Sequence, residues 1–86
     1  MTDRQLLARI TADPGVLAGK PVVRGTRLAV EYLVKLLAHG ATEAELLAEY
    51  QGLTKADIAA CLLFASKSLE ESAFMPLIPF ANTASS

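Results

Sequence analysis

Apolar positions recur along this chain in three distinct ways, and each predicts a different kind of element. From Leu28 onward the spacing is helical. Val30, Leu33, Val34 and Leu37 fall at i, i+3, i+4 and i+7 and predict a first helix over about Ala29–His39, with Gly40 as its C′ stop. A second helix opens at Thr42-Glu43-Ala44-Glu45, where the Thr42 hydroxyl caps the N3 amide and Glu45 reaches back. Leu46, Leu47 and Tyr50 give it an apolar face, and Gly52 ends it. A third begins at Thr54-Lys55-Ala56-Asp57, again threonine with an acid three residues on. It carries Ile58, Cys61, Leu62, Ala65 and Leu69 on one face, which Leu63 and Phe64 widen. Residues 28–72 therefore read as a trihelical unit with two tight turns.

Residues 1–27 follow another rule. Leu6, Leu7 and Ile10 mark a short amphipathic start, and the stretch TADPGVLAGKPVVRGTR is dense in turn formers. Asp13-Pro14-Gly15 predicts a turn, and two very short strands are expected around Arg9–Thr11 and Pro21–Arg24. A two-stranded ribbon is marginal alone, so it packs on helices or pairs with another subunit, for which an exposed edge strand is a natural seam. The fold class is α+β, mainly α: one domain over 1–72, with a β element in 1–27 ahead of the three helices. In 73–86 the apolar residues Phe74, Met75, Leu77, Ile78 and Phe80 are interrupted by Pro76 and Pro79, so no regular helix forms. That tail is too apolar for a solvated linker and is expected to lie on the same subunit, a dimer mate or a partner, with only Ala81–Ser86 as a free end.

Composition sharpens the expectation of an assembly. Of 86 residues, 52% are hydrophobic, 15 of the total being alanine. The mean hydropathy is +0.37. That is more apolar surface than one small core hides, which points to a homodimer or a permanent partner. The net charge of −1 argues against a strongly basic nucleic-acid binder. Its distribution is uneven: residues 1–27 hold five cations against two carboxylates, and residues 28–86 hold three against seven. No apolar run is long enough to cross a membrane, and Asp3 and Arg4 break the order of a secretory signal, so a cytoplasmic protein is expected. One cysteine, Cys61, excludes an internal disulfide and a cysteine-based zinc site. One histidine, His39, suits a helix C-terminus and leaves no metal cluster. Glu43, Glu45, Glu49, Glu70 and Glu71 form a solvated acidic face, because no base or nucleophile converges on them by spacing. Cys61 is expected to be an inert core thiol, and Tyr32 and Tyr50 to sit half-buried at helix seams. No cofactor, metal or catalytic residue is expected, and the chain is not read as an enzyme.

The distinctive chemistry lies in Gly19-Lys20-Pro21-Val22-Val23-Arg24-Gly25-Thr26-Arg27. Its lysine follows the first glycine, so it is not the phosphate-binding GxxxxGK[ST] loop, and it lacks GxGxxG. What remains is a glycine-bracketed loop offering Lys20, Arg24, Arg27 and the Thr26 hydroxyl just before a helix, with Thr26 placed for an N-cap. Those groups suit a phosphate or carboxylate partner. Equally, Arg24 and Arg27 could hold the turn by bonding carbonyls or the acids of the second and third helices.

From Ile10 through Ala65 the chain resembles a small bacterial family long known as a domain of unknown function, whose shared pattern is an Asp-Pro, a GKPvvrGTR block, a helix ending in glycine, then two capped helices. The matching positions are Asp13, Pro14, Gly19, Lys20, Pro21, Gly25, Thr26, Arg27 and Gly40. That family is grouped with VapB-type antitoxins, and its members are often encoded beside a PIN-like nuclease. The resemblance implies a homodimeric, homeodomain-like helix-turn-helix protein that silences a toxin ribonuclease and also binds its own operator. On that basis Lys20, Arg24, Thr26, Arg27 and Lys55 become candidate partner or nucleic-acid contacts. Phe74, Met75, Leu77, Ile78 and Phe80 become candidate toxin or dimer contacts.

The spacing fits a helix-turn-helix, with Gln51-Gly52-Leu53 between the second and third helices. The third helix nevertheless opens with Thr54, Lys55, Ala56, Asp57, Ala59 and Ala60, which lack the arginine or amide side chains that read base edges. Any DNA contact is therefore expected from Lys20, Arg24 and Arg27, mostly to phosphates. The competing readings are a dimeric structural or adaptor module and a stand-alone DNA-binding protein.

Overall fold

Threonine caps set where three of the four α-helices among the described residues begin. The computed structural model describes residues 1–71. Its elements are α1 (Asp3–Leu7), β1 (Ile10–Ala12), β2 (Pro21–Val23), α2 (Val30–Ala38), α3 (Glu43–Glu49) and α4 (Lys55–Glu71). Thr2 with Gln5, Thr42 with Glu45 and Thr54 with Asp57 each form a reciprocal capping box. The amphipathic start is thus a helix in its own right, α1, held by its own box.

The two expected strands pair antiparallel, with Ile10 opposite Val23, Thr11 opposite Val22 and Ala12 opposite Pro21. Asp13 ends β1 by accepting the Gly15 amide at 2.8 Å, which makes the anticipated Asp-Pro-Gly turn. Beyond β2 the chain doubles back at once. Val23 accepts from the Thr26 amide at 3.0 Å and from its hydroxyl at 2.7 Å, while the Leu28 amide donates to that same hydroxyl at 3.0 Å. Thr26 is therefore a turn staple and not the cap of α2. That cap is Ala29, which makes no side-chain bond and instead bridges to Val22. At its far end α2 closes as a Schellman turn: Ala41 donates to Leu36 at 3.0 Å, Gly40 donates to Leu37 at 3.1 Å, and Gly40 sits at φ +98°.

The core joins the sheet to three helices. Val23, Val30, Leu33, Leu46, Leu53, Ile58 and Cys61 form one buried cluster, with Ile10, Val34, Leu37, Leu47, Tyr50 and Phe64 packed around it. In α4 the buried line differs from the expected one. It runs through Asp57, Ile58, Ala60 and Cys61, whereas Leu62 and Leu69 stand 48% and 68% exposed. The stripe is rotated by roughly a quarter-turn. The cause is that α1 and β1 pack against α4 as well as α2 and α3 do, and they turn Asp57 inward.

Between the strands, Leu17, Ala18 and Gly19 all take left-handed φ values of 48°, 57° and 86°. Such a conformation costs a non-glycine residue about 1–2 kcal/mol. Ala18 is exposed, so its methyl packs on little. Ala18→Gly is accordingly expected to stabilise the fold by about 0.5–1 kcal/mol in urea denaturation, the strain relieved exceeding the entropy that glycine adds to the unfolded chain. A loss of stability would mean that the turn is unstrained.

Candidate functional site

The glycine-bracketed block is delivered by β2 and the turn after it, and the geometry sorts its cations into two kinds. Lys20 lies just before β2 and pairs with Glu31 of α2 at 2.9 Å, fully on the surface. Lys55, at the start of α4, approaches Glu43 of α3 at 3.7 Å, also exposed. Arg24 and Arg27 are exposed, and neither side chain has a hydrogen bond or ion pair among the described residues. They do not hold the turn; Thr26 and backbone bonds do.

These two guanidiniums serve different hollows. Arg24 follows β2 directly, its amide fixed to the Arg9 carbonyl at 2.7 Å. Its side chain lines a shallow cleft of about 580 Å³ with Gln5, Arg9, Gly52, Thr54 and Asp57. Arg27 lines a second hollow of about 610 Å³ with Thr11, Asp13, Val22 and Thr26. Lys20 and Lys55 line neither. The block is therefore contiguous in sequence but splayed in space, with Gly25 at φ +79° making the bend between the two arginines.

Part of the first cleft was not evident from the chain order. Arg9 donates from Nη1 to Asp57 Oδ1 at 3.0 Å, across 48 residues of sequence. Asp57 Oδ2 accepts the Thr54 amide at 3.0 Å, so one nearly buried carboxylate caps α4 and also pins the α1–β1 junction to it. The capping pattern Thr54-x-x-Asp57 was visible in sequence; the second partner of Asp57 had no local signal. Arg9 Nε is buried without a partner among the described residues.

The surroundings supply binding groups but little reactive chemistry. Burial, and then the charge of Asp57, pushes the Cys61 thiol up to about 11, so it stays protonated in the core. Tyr50 donates to the Tyr32 hydroxyl at 3.2 Å, the rings meeting edge to face at 6.5 Å. Among the described residues no three His, Cys, Asp or Glu side chains converge as a metal site would require. No helix of the described residues is long and apolar enough to cross a membrane. At the start of α4 the exposed residues are Thr54, Lys55, Ala59 and Leu62, which include no arginine or amide side chain. Phe74, Met75, Leu77, Ile78 and Phe80 lie outside the described residues.

Comparison with known proteins bears on this arrangement. A family described as "Protein of unknown function (DUF433)" matches residues 10–65, which include β1, β2, both arginines and the first two-thirds of α4. A crystal structure of a DUF433 member protein from Anabaena variabilis ATCC 29413, at 2.00 Å resolution, is similar with 37% sequence identity and a TM-score of 0.70. The similarity covers 78% of this chain and 66% of that one, so the present chain spans just under two-thirds of that relative. A comparison with the curated proteins finds no match.

Proposed function

This chain belongs to the DUF433 family over residues 10–65, and from that premise we propose that it is an antitoxin-like protein that binds and silences a PIN-like ribonuclease. The observation that carries the proposal is the contrast among the cations. Lys20 and Lys55 are already paired, whereas Arg24 and Arg27 stand exposed on a backbone fixed by β2 and Thr26, with no partner among the described residues. A nuclease of this kind gathers carboxylates around a divalent cation, which makes its active site strongly electronegative. A guanidinium brought there pairs with a carboxylate through two parallel N–H bonds and competes with the cation for it.

The same proposal takes the protein as a cytoplasmic homodimer with a homeodomain-like helix-turn-helix in α3 and α4. Residues 50–54 form the turn that separates those two helices. Operator binding then rests on Arg24 and Arg27 gripping phosphates, since the opening of α4 presents no arginine or amide side chain to base edges. Such a grip weakens steeply as salt rises.

The test is to co-express the tagged chain with a PIN-like nuclease from the same cell, isolate the complex, and assay RNA cleavage with and without the chain. The wild-type chain is expected to form a stoichiometric, silent complex. Arg24→Ala with Arg27→Ala is expected to weaken inhibition on the order of 100-fold, two charge-assisted contacts being lost, while the melting temperature stays unchanged. Undiminished inhibition by the double variant would remove the arginines from the account. A clean homodimer that captures no nuclease would favour the adaptor module instead.

A further inference from the structure

The cleft of about 580 Å³ that Arg24 enters is lined by Gln5, Arg9, Arg24, Gly52, Thr54 and Asp57, and its polar side chains divide by what they can still bond. The side-chain acceptors are engaged. Asp57 Oδ1 accepts from Arg9 Nη1 at 3.0 Å, and Oδ2 accepts the Thr54 amide at 3.0 Å. Gln5 Oε1 accepts the Thr2 amide at 2.9 Å, and Thr54 Oγ1 accepts the Asp57 amide at 3.1 Å. The donors are not engaged. The Gln5 side-chain N–H groups, the Thr54 hydroxyl proton, Arg9 Nη2 and the whole Arg24 fork have no acceptor among the described residues. We infer that this cleft is a binding site for one phosphate group.

Donors without acceptors call for a ligand rich in lone pairs, and the number of walls they come from selects its shape. Gln5 belongs to α1, Arg9 to the α1–β1 junction, Arg24 to the turn after β2, and Thr54 to the turn before α4. The oxygens of a phosphate point to the corners of a tetrahedron, so each can accept from a different wall. A carboxylate holds both oxygens in one plane and suits a single guanidinium edge. Charge agrees with an anion: the two guanidiniums outnumber the one carboxylate among the lining side chains. Asp57 is nearly buried with both oxygens bonded, so it opposes an anion little. The helix end does not make the site, because the Thr54 and Asp57 amides at the start of α4 are already bonded. The two cations are presented from one fixed junction. Arg9 is held by Asp57, and the Arg9 carbonyl takes the Arg24 amide at 2.7 Å. Arg27 lines the other hollow and takes no part. The inference does not rest on the antitoxin proposal, since it needs neither a nuclease nor Arg27.

The experiment follows the amide signals of Arg24, Gly52 and Thr54 in the isotopically labelled full chain as inorganic phosphate replaces chloride at constant ionic strength. The signals are expected to shift and saturate, with half-saturation in the millimolar range, and acetate is expected to bind at least about fivefold more weakly. A parallel titration with dimethyl phosphate separates the sources of the group. Tighter binding than inorganic phosphate marks a nucleic-acid backbone and weaker binding marks a free phosphate or monoester; saturation by either supports the site. Gln5→Glu keeps an oxygen for the Thr2 amide, so the capping box stands, but it sets a carboxylate where the amide donors were. Phosphate affinity is expected to fall about tenfold in Gln5→Glu and in Arg24→Gln, and to stay unchanged in Arg27→Gln. Shifts that grow without saturating, or acetate binding as tightly as phosphate, would overturn the inference. So would an unchanged affinity in either Gln5→Glu or Arg24→Gln. An equal loss in Arg27→Gln would overturn it too, because binding would then follow overall charge.

Discussion

Replacing Asp57 by alanine is expected to lower the stability of the fold by about 3 kcal/mol, read as a shift of the urea midpoint at constant slope. Two losses add. The α4 cap gives up its acceptor for the Thr54 amide, which is worth about 1 kcal/mol. Arg9 gives up a charge-assisted bond of 3.0 Å, worth about 1.5–3 kcal/mol. A fully buried pair broken from one side costs about 3–5 kcal/mol, but the Arg9 side chain keeps 32% of its exposure and rehydrates, which holds the figure to the lower end. Asp57→Asn keeps an oxygen for Thr54 and loses the charge, so it should cost about half as much. A double-mutant cycle with Arg9→Ala should return a coupling of about 1–2 kcal/mol. A cost below about 1 kcal/mol for Asp57→Ala would show that the pair does not bind α1 and β1 to α4. The consequence reaches the candidate site, because the Arg9 backbone carries the Arg24 amide on its carbonyl.

That pair also marks where the sequence stops being readable. The Thr42 and Thr54 capping boxes, the Asp13 turn and the Gly40 stop depend on residues within five positions of one another, and periodicity with cap chemistry located them closely, whereas the Thr2–Gln5 box of α1 was not anticipated. The strands were placed to within a residue or two, since β-prone Val22 and Val23 lie between glycine and proline punctuation. The rotation of α4 was not legible: Leu62 and Leu69 share helical spacing with Ile58, and only packing by α1 and β1 decides which side is covered. Nor did the Arg9–Asp57 contact have a signal, because a separation of 48 residues leaves no periodic trace. In the glycine-bracketed block the residue types were evident and their arrangement was not. Thr26 looked like a cap because it precedes a helix, yet α2 begins later, at Val30, and the hydroxyl closes the turn instead. Leu17 and Ala18 in left-handed backbone had no compositional warning, since only Gly19 belongs there by type.

Leu33→Ala is expected to cost about 3–4 kcal/mol, as large an effect as any single side chain in this fold should give. Leu33 is 0% exposed and sits where all the layers meet, with Val23 of β2, Leu46 of α3, Leu53 and Ile58 in the same cluster. Truncation leaves a cavity bounded by separate elements, and a cavity walled by β2, α3 and α4 cannot collapse without moving at least one of them. For a domain of this size the total stability is on the order of 5 kcal/mol, so most of it would be lost. The melting temperature should fall by roughly 15–25 °C, and a fall of only a few degrees would mean that the core closes over the gap. Leu62→Ala, at a position 48% exposed, supplies the control, with an expected loss of less than about 1 kcal/mol. The contrast separates folding from binding: Leu33→Ala should weaken every partner contact alike, and increasingly so as the temperature approaches its lowered melting point. Arg24→Ala with Arg27→Ala removes only exposed groups without partners among the described residues, so any binding lost at an unchanged melting temperature must come from the interface itself.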